Sequence, residues 1–334
     1  MNIWCEKGAK ISQKTREKLK KFNPLDIKKI AIIRHAALGD MIITRAFLIE
    51  LKNCFPNAEI TLSLVDKYLY GKPSDLYNRE HIFYRKKGFF QKVKNIKELG
   101  KQDIIFDFAS TSASRLLTFF TGAFLKIGFP YRGFDQNFLY DISILRSDFH
   151  FEGDIMLDTL KIFGHKPKYP LDYELPQCSS FEKRIVYFFG ASTETKQYPR
   201  KMYYELINRL SDSYKDYKHV LLEGKSINEK FEDIPKDLLD KSNVSIRNTL
   251  DLSELIEYLS KSRLCVSPDT GVRNVAIATH TPTVGIFYST VPYRYWPRYE
   301  NGHDAAFVRN GEIPSVKVVE EVIVSNLSTN IVRG

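Results

Sequence analysis

The sequence predicts an α/β chain of two doubly wound units, and three observations carry that. Apolar runs rich in isoleucine and valine alternate with amphipathic stretches, the order of a parallel sheet with helical crossovers. A tract with three prolines, residues 165–182, breaks the alternation midway, and the pattern then restarts. The 334 residues also match about two domains at roughly 150 residues each. The expected layout is a basic extension over 1–27, a first unit over 28–168, a linker over 169–182 and a second unit over 183–334. A ligand is expected in a cleft facing the carboxyl ends of the strands.

Each element has a local reason. Ile27–Arg34 (IKKIAIIR) centres on a β-branched run and reads as a strand buried on both faces. Ala36–Asp40 follows, then a helical pattern through Met41, Ile42, Ala46, Leu48, Ile49 and Leu51, stopped by Phe55-Pro56-Asn57. Strands are expected at Glu59–Val65, His81–Arg85, Asp103–Phe108 and Leu125–Phe129. Helices are expected at about Phe90–Gly100, Ser114–Thr121 and 153–163. After the linker, strands are expected at Lys183–Phe189, His219–Leu222, Asn243–Ile246, Leu264–Ser267 and Thr283–Tyr288. Helices are expected at Arg200–Leu210, Leu252–Ser260, Val272–Ala278 and about Ser315–Ser325.

Composition excludes several classes. With 43% hydrophobic and 27% charged residues the chain is neither disordered nor collagen-like. No run approaches the ~18 apolar residues of a membrane span. The first residues have no apolar core after their charges, so they do not read as a secretory signal. Cys5, Cys54, Cys178 and Cys265 lie far apart with no CxxC, which points to free thiols in a reducing cytosol. The histidines do not cluster, and neither HExxH nor a tight Asp-x-Asp pair occurs, so no metal is expected. GxGxxG is absent, and Gly224-Lys225-Ser226 lacks the upstream glycine of a phosphate-binding loop. The net charge of +10 suggests an anionic partner: a phosphorylated substrate, an acidic membrane face or nucleic acid. No nucleic-acid motif accompanies it, which leaves a basic binding module resting on charge alone. Residues 1–29 hold nine Lys/Arg against three acids, so more than half of the excess lies there. That segment reads either as a solvated face or as a contact with anionic lipid.

Three strand-to-helix junctions put polar residues where a ligand is expected. In Arg34–Asp40 (RHAALGD), small residues let a ligand approach the backbone, and Gly39 precedes an acid near a helix start. Negative charge is favourable there, and Asp40 would accept a proton from a well-placed hydroxyl; it equally suits an acid that only stabilises its own helix. In Gly190–Pro199 (GASTETKQYP), Ser192, Thr193 and Lys196 combine hydroxyls and an ammonium suited to a diphosphate, although such runs also occur in plain loops. In Ser267–Asn274 (SPDTGVRN), Asp269, Thr270 and Gly271 open a helix whose N-terminus either binds an anion or is capped by Asp269. Tyr288, Tyr293, Tyr295 and Trp296, with Arg294 and Arg298, form either a stacking surface for a base or sugar or simple packing.

These junctions, in this order and spacing, resemble glycosyltransferase family 9, the ADP-heptose:lipopolysaccharide heptosyltransferases. IAIIRHAALGDMIITRAFLIELKNCFPNAEITLSLV is similar to that family's opening strand, Leu-Gly-Asp turn, helix with Thr44 and Phe-Pro turn. IVYFFGASTETKQYPRKMYYELINRL is similar to its Gly-Ala-Ser…Lys-x-(aromatic)-Pro segment, and SPDTGVRNVAIATHTPTVGIFYSTVP to its Asp-Thr-Gly segment. The resemblance runs from about residue 28 to the C-terminus. It implies a GT-B fold of two Rossmann-like domains facing a cleft, the first binding the acceptor and the second the nucleotide-sugar. It implies inverting, metal-independent transfer of a heptose from ADP-heptose to an acidic glycolipid, the lipopolysaccharide inner core. No cofactor and no nucleic acid are implied. Asp40 matches the catalytic base. Ser192, Thr193 and Lys196 match the diphosphate segment, and Asp269, Thr270 and Gly271 the segment holding donor sugar and phosphates. The glutamate near the ribose is Glu223 or Glu229, with Glu223 the choice. Gly39 and Arg115 are the acceptor-side candidates. The family histidine three residues after the glycine is Asn274 here, and Phe-Gly-Pro-Thr reads Phe287-Tyr288-Ser289-Thr290; both changes touch the donor pocket. The expected location is cytoplasmic, peripheral on the inner membrane.

Overall fold

A computed structural model describes residues 10–130, 135–177, 180–191, 193–298 and 302–329. The chain divides into two units. The first comprises residues up to 147 and 153–168, and the second comprises 148–152 and everything from 169. The tract expected as a linker is thus part of the second unit from Tyr169 on, along with the short segment Asp148–Glu152.

The first unit runs β1 (Lys10–Ile11), α1 (Gln13–Lys20), β2 (Lys29–Ile33), α2 (Leu38–Cys54), β3 (Glu59–Val65), β4 (Arg79–Phe83), α3 (Phe89–Leu99), β5 (Gln102–Asp107), α4 (Ser112–Phe120), β6 (Ala123–Gly128), β7 (Ile142–Ser143) and α5 (Glu152–Lys161), whose first residue, Glu152, falls in the second unit. Its sheet has the order β1-β7-β6-β5-β2-β3-β4, parallel except for β1 on β7. Ile30, Ala31, Ile32 and Ile33 of β2 are fully buried, as a central parallel strand requires. Each buried isoleucine contributes about 1.5–3 kcal/mol. Within the expected extension, residues from Lys10 on belong to this unit. β1 joins the sheet, and Phe22 packs on Phe55 and Phe163 at 6.2 and 4.8 Å between ring centroids. Charge dominates that segment in sequence, and its few anchoring apolar residues have no period to announce them.

The second unit runs β8 (Glu182–Tyr187), α6 (Arg200–Ser213), β9 (Lys218–Leu222), α7 (Lys236–Leu239), β10 (Val244–Arg247), α8 (Leu252–Ser260), β11 (Ser262–Pro268), α9 (Gly271–Ala278), β12 (Thr283–Ile286), β13 (His303–Ala306) and α10 (Val316–Ser328). Its sheet is wholly parallel, in the order β10-β9-β8-β11-β12-β13. The edge strand β13 (HDAA) carries no alternation and was not expected from sequence.

Strand order places the three junctions. In the first sheet the chain goes out from β2 to β3 and β4, then returns to β5 on β2's other side. In the second it goes from β8 to β9 and β10, then returns to β11 beside β8. Such reversals open a crevice at the carboxyl ends of the two central strands. The loop after β2 is Arg34–Ala37, and those after β8 and β11 hold Gly190–Pro199 and Asp269-Thr270. All three motifs therefore lie at switch points.

Candidate active site

In the first unit, β2 runs into Arg34, which is 1% exposed. Its Nη2 lies 3.2 Å from Asp40 Oδ1, Nε donates to Thr44 Oγ1 at 3.2 Å, and Nη1 donates to the Phe108 carbonyl at 3.1 Å. Thr44 Oγ1 in turn donates to the Asp40 carbonyl at 2.6 Å. Asp40 is the third residue of α2, in a helix start that no side chain caps, and Gly39 before it is buried. The carboxylate is 26% exposed, so it is anchored from below while open to a ligand. A buried guanidinium demands such a partner, and that fixes the carboxylate in place. Arg34 escaped the sequence reading because it stands before the small-residue turn, where it reads as the end of the strand.

Beside it, the turn after β5 is organised by Asp107, a fully buried carboxyl. It accepts from Ala109 N at 3.0 Å, Ser110 N at 3.3 Å, Thr118 Oγ1 at 3.3 Å and Tyr140 Oη at 2.9 Å. Burial raises its pKa, and the hydrogen bonds from Tyr140, Ala109 and Ser110 oppose the rise. His35 lies across this turn, with Nδ1 3.4 Å from Thr111 Oγ1. Burial first, then the charges of His81 and Arg85, lower its pKa to about 3, so the imidazole is neutral at physiological pH. Arg115, on α4, is 3.4 Å from the buried Asp135 and 3.5 Å from Ser112 Oγ.

In the second unit, Lys196 Nζ donates to Asp269 Oδ2 at 2.7 Å, which joins the second and third junctions. Asp269 is not the cap of α9. Thr270 takes that place, its hydroxyl accepting from Arg273 N at 3.3 Å. The carboxylate is thereby left to Lys196. Thr193 is exposed, its hydroxyl 3.0 Å from that of Thr195, and Ser192 lies outside the described residues. Gly190 is required: a Cβ there would stand 2.7 Å from Glu229 Cγ and 2.8 Å from the Phe188 ring.

The residues 93–322 match the family model for glycosyltransferase family 9 (heptosyltransferase). The chain belongs to glycosyltransferase family 9. It is accordingly a glycosyltransferase. Lipopolysaccharide heptosyltransferase 1 of Campylobacter coli is 24% identical over 296 residues, 80% of this chain and 85% of that protein. The E. coli heptosyltransferase WaaC, solved with ADP-2-deoxy-2-fluoro heptose, has a TM-score of 0.68 at 17% identity, covering 89% of this chain and 99% of its own. A family 9 glycosyl transferase from Veillonella parvula gives 0.70 at 16% identity, covering 91% and 98%. These neighbours bear out the expected fold class, GT-B with two Rossmann-like units.

The family 9 motifs carry further detail. Gly271 is the first residue of α9, and Asn274, in its first turn, is 4% exposed. Glu223 accepts from Phe231 N at 3.2 Å and Lys230 Nζ at 3.0 Å, which fixes the turn after β9. Glu229 is the glutamate packed against Gly190 and Gly224, so it flanks the loop after β8. Trp296 donates to the His303 carbonyl at 2.6 Å and stacks on Tyr293 at 6.1 Å. Arg294 pairs with Asp148 at 3.1 Å and Glu152 at 3.4 Å, and Arg298 donates to the Phe149 carbonyl at 3.0 Å. These groups pack the 292–298 loop. Arg273, buried two residues after Gly271, was also missed, because its partners lie on other elements.

Proposed function

We propose that this family 9 enzyme transfers a heptose from ADP-heptose, with inversion, to a hydroxyl of the lipopolysaccharide inner core. Asp40 is the general base in this reading. It takes the proton of the acceptor hydroxyl as that oxygen forms its bond to the anomeric carbon. The bond from that carbon to the diphosphate breaks on the opposite face, and ADP leaves with the electron pair. Lys196 and the N-terminus of α9 stabilise the charge on the leaving diphosphate, and no metal takes part. Thr193, Asp269, Thr270, Gly271 and Asn274 line the donor side, and Gly39 and Arg115 the acceptor side. Glu229 joins Glu223 as a candidate ribose contact.

The observation that carries this reading is the Lys196–Asp269 pair at the second switch point, beside a helix start whose cap is Thr270. The names of the relatives supply the substrates: a lipopolysaccharide heptosyltransferase and a heptosyltransferase solved with an ADP-heptose analogue. A thermal-shift panel with ADP, UDP, GDP, CMP and ADP-heptose tests it. Selective stabilisation by ADP and ADP-heptose is expected. Selective response to UDP or GDP overturns the donor. Asn274 favours that second reading, another nucleotide-sugar or acceptor, since an amide donates a hydrogen bond but carries no charge.

The same proposal places the enzyme in the cytoplasm, peripheral on an anionic membrane face, and without nucleic acid as a partner. No helix among the described residues is long and apolar enough to cross a membrane. Two basic surfaces of the first unit support the contact. α1 carries Lys14, Arg16, Lys18 and Lys20. The exposed run Tyr84–Lys87 holds Arg85, Lys86 and Lys87 and leads to Phe90, which is 88% exposed. Cations with an exposed aromatic suit an anionic interface.

A further inference from the structure

We infer that Arg273 is a positioning residue of the donor site, the buried counter-charge that takes over Asp269 when a diphosphate draws Lys196 away. The inference rests on the proposed nucleotide reading and goes beyond it in naming how this chain balances the charge.

Arg273 is the third residue of α9 and is fully buried. Nη1 donates to the Tyr295 carbonyl at 2.5 Å, and the guanidinium lies 5.1 Å from the centre of the Phe287 ring. Nε and Nη2 have no hydrogen-bond partner among the described residues. The fold makes room for this group: a Cβ on Gly285 of β12 would stand 2.5 Å from Nε and 2.9 Å from Cζ. A strand interior disfavours glycine, so the position is held for the guanidinium. Burying a cation with two vacant donors is costly, and a leucine or methionine of similar size avoids the cost. A structural role alone does not explain why it is there.

The charges supply a reason. Asp269 immediately precedes the Thr270 cap of α9 and Arg273 is the third residue of that helix, so Lys196 and a second, buried cation share this helix start with one carboxylate. Lys196 holds it directly at 2.7 Å. Burial lowers the Arg273 pKa to about 10, and the charge of Asp269 opposes that fall. The group nonetheless stays protonated at neutral pH. The surplus positive charge sits at the N-terminus of α9, the positive end of that helix. This arrangement suits an incoming dianion. A diphosphate that engages Lys196 strips Asp269 of its direct partner and presents a second negative charge beside it. Arg273, with donors to spare, keeps that carboxylate neutralised, so Lys196 is released at little cost. Without Arg273, Asp269 repels the diphosphate and competes for Lys196.

The test is calorimetric titration of the full chain with ADP and with inorganic pyrophosphate, on wild type, Arg273→Met, Asp269→Asn and the double variant. Arg273→Met is expected to weaken both ligands by at least about tenfold, the worth of one charge-assisted contact. In the Asp269→Asn background the same change is expected to cost less than about twofold, because no carboxylate then needs a counter-charge. A merely structural arginine gives the same penalty in both backgrounds, and that result overturns the inference, as does an unchanged affinity in Arg273→Met. Should Arg273→Met not fold, Arg273→Gln closes the same cycle, since glutamine removes the charge and keeps hydrogen-bond donors. Wild type that binds neither ligand overturns the nucleotide reading itself. Wild type that binds both, with no coupling in the cycle, overturns the role of Arg273 alone.

Discussion

Arg34 Nη2 lies 3.2 Å from Asp40 Oδ1, with the guanidinium buried and the carboxylate partly open. Asp40 is thus the counter-charge of a buried cation, and in the proposed mechanism it is also the proton acceptor. Asp40→Asn removes both. Transfer is expected to fall by about 10²–10⁴-fold, the range for loss of a general base. ADP affinity is expected to stay within about twofold, because the proposed donor contacts lie on other elements. Stability is expected to drop by about 1–2 kcal/mol, less than the ~3–5 kcal/mol of a fully buried pair, since Asp40 is partly solvated. Single-turnover rates, ADP titration and urea unfolding read the three quantities. Undiminished turnover removes Asp40 from the chemistry.

Lys196 makes the complementary case. Lys196→Ala is expected to weaken ADP by about ten- to a hundredfold, through loss of one charge-assisted contact. Folding stability is expected to drop by about 1–2 kcal/mol, because the ammonium is 28% exposed but the carboxylate it leaves behind is only 11% exposed. Calorimetry on the variant separates the two effects. Equal affinity for ADP takes Lys196 out of the donor site.

Local pattern made much of this legible. Ile30–Ile33 followed by small residues marks a buried strand, a close turn and a helix start, and the structure has all three. Contacts between distant segments were not legible. Lys196 and Asp269 meet because β8 and β11 are neighbours, a fact of strand order that neither motif encodes. Arg273 depends on Gly285 and Tyr295, so nothing adjacent to it in sequence signals a buried cation. The choice between Glu223 and Glu229 was open for the same reason. The slot that receives Glu229 is made by glycines from two different loops.

His35 predicts a pH signature. Its pKa falls from 6.5 in a solvated chain to about 3 in the fold, chiefly through burial. Below pH 6.5 the unfolded chain therefore binds a proton that the folded one refuses. The stability from this group is complete above pH 6.5 and is lost as pH falls toward 3, by about 1.4 kcal/mol per unit at most. His81 and His219, also lowered by burial, act in the same direction, while the raised Asp107 acts oppositely above its ordinary range. The difference between wild type and His35→Asn isolates one proton. Urea midpoints from pH 4.5 to 7.5 are expected to fall less steeply in the variant. Parallel curves refute the burial of a neutral imidazole.

Tyr140 shows how a residue distant from the proposed base supports it. Its hydroxyl donates to Asp107 Oδ2 at 2.9 Å, and Asp107 Oδ1 holds the amides of Ala109 and Ser110. Those amides form the turn that follows Phe108, whose carbonyl receives Arg34. Tyr140→Phe leaves Asp107 short of a donor in a site without solvent. The expected loss is about 1–3 kcal/mol of stability, the cost of an unsatisfied buried acceptor. Loosening this turn acts on the proposed acceptor side, so the acceptor KM is expected to rise several-fold while ADP affinity holds. The conservative shape of phenylalanine keeps the packing, and Gly128 beneath the ring, where a Cβ would stand 2.6 Å from the tyrosine Cζ, still admits it. A stability loss with no change in acceptor KM would mean that the Asp107 network holds the fold without shaping the site.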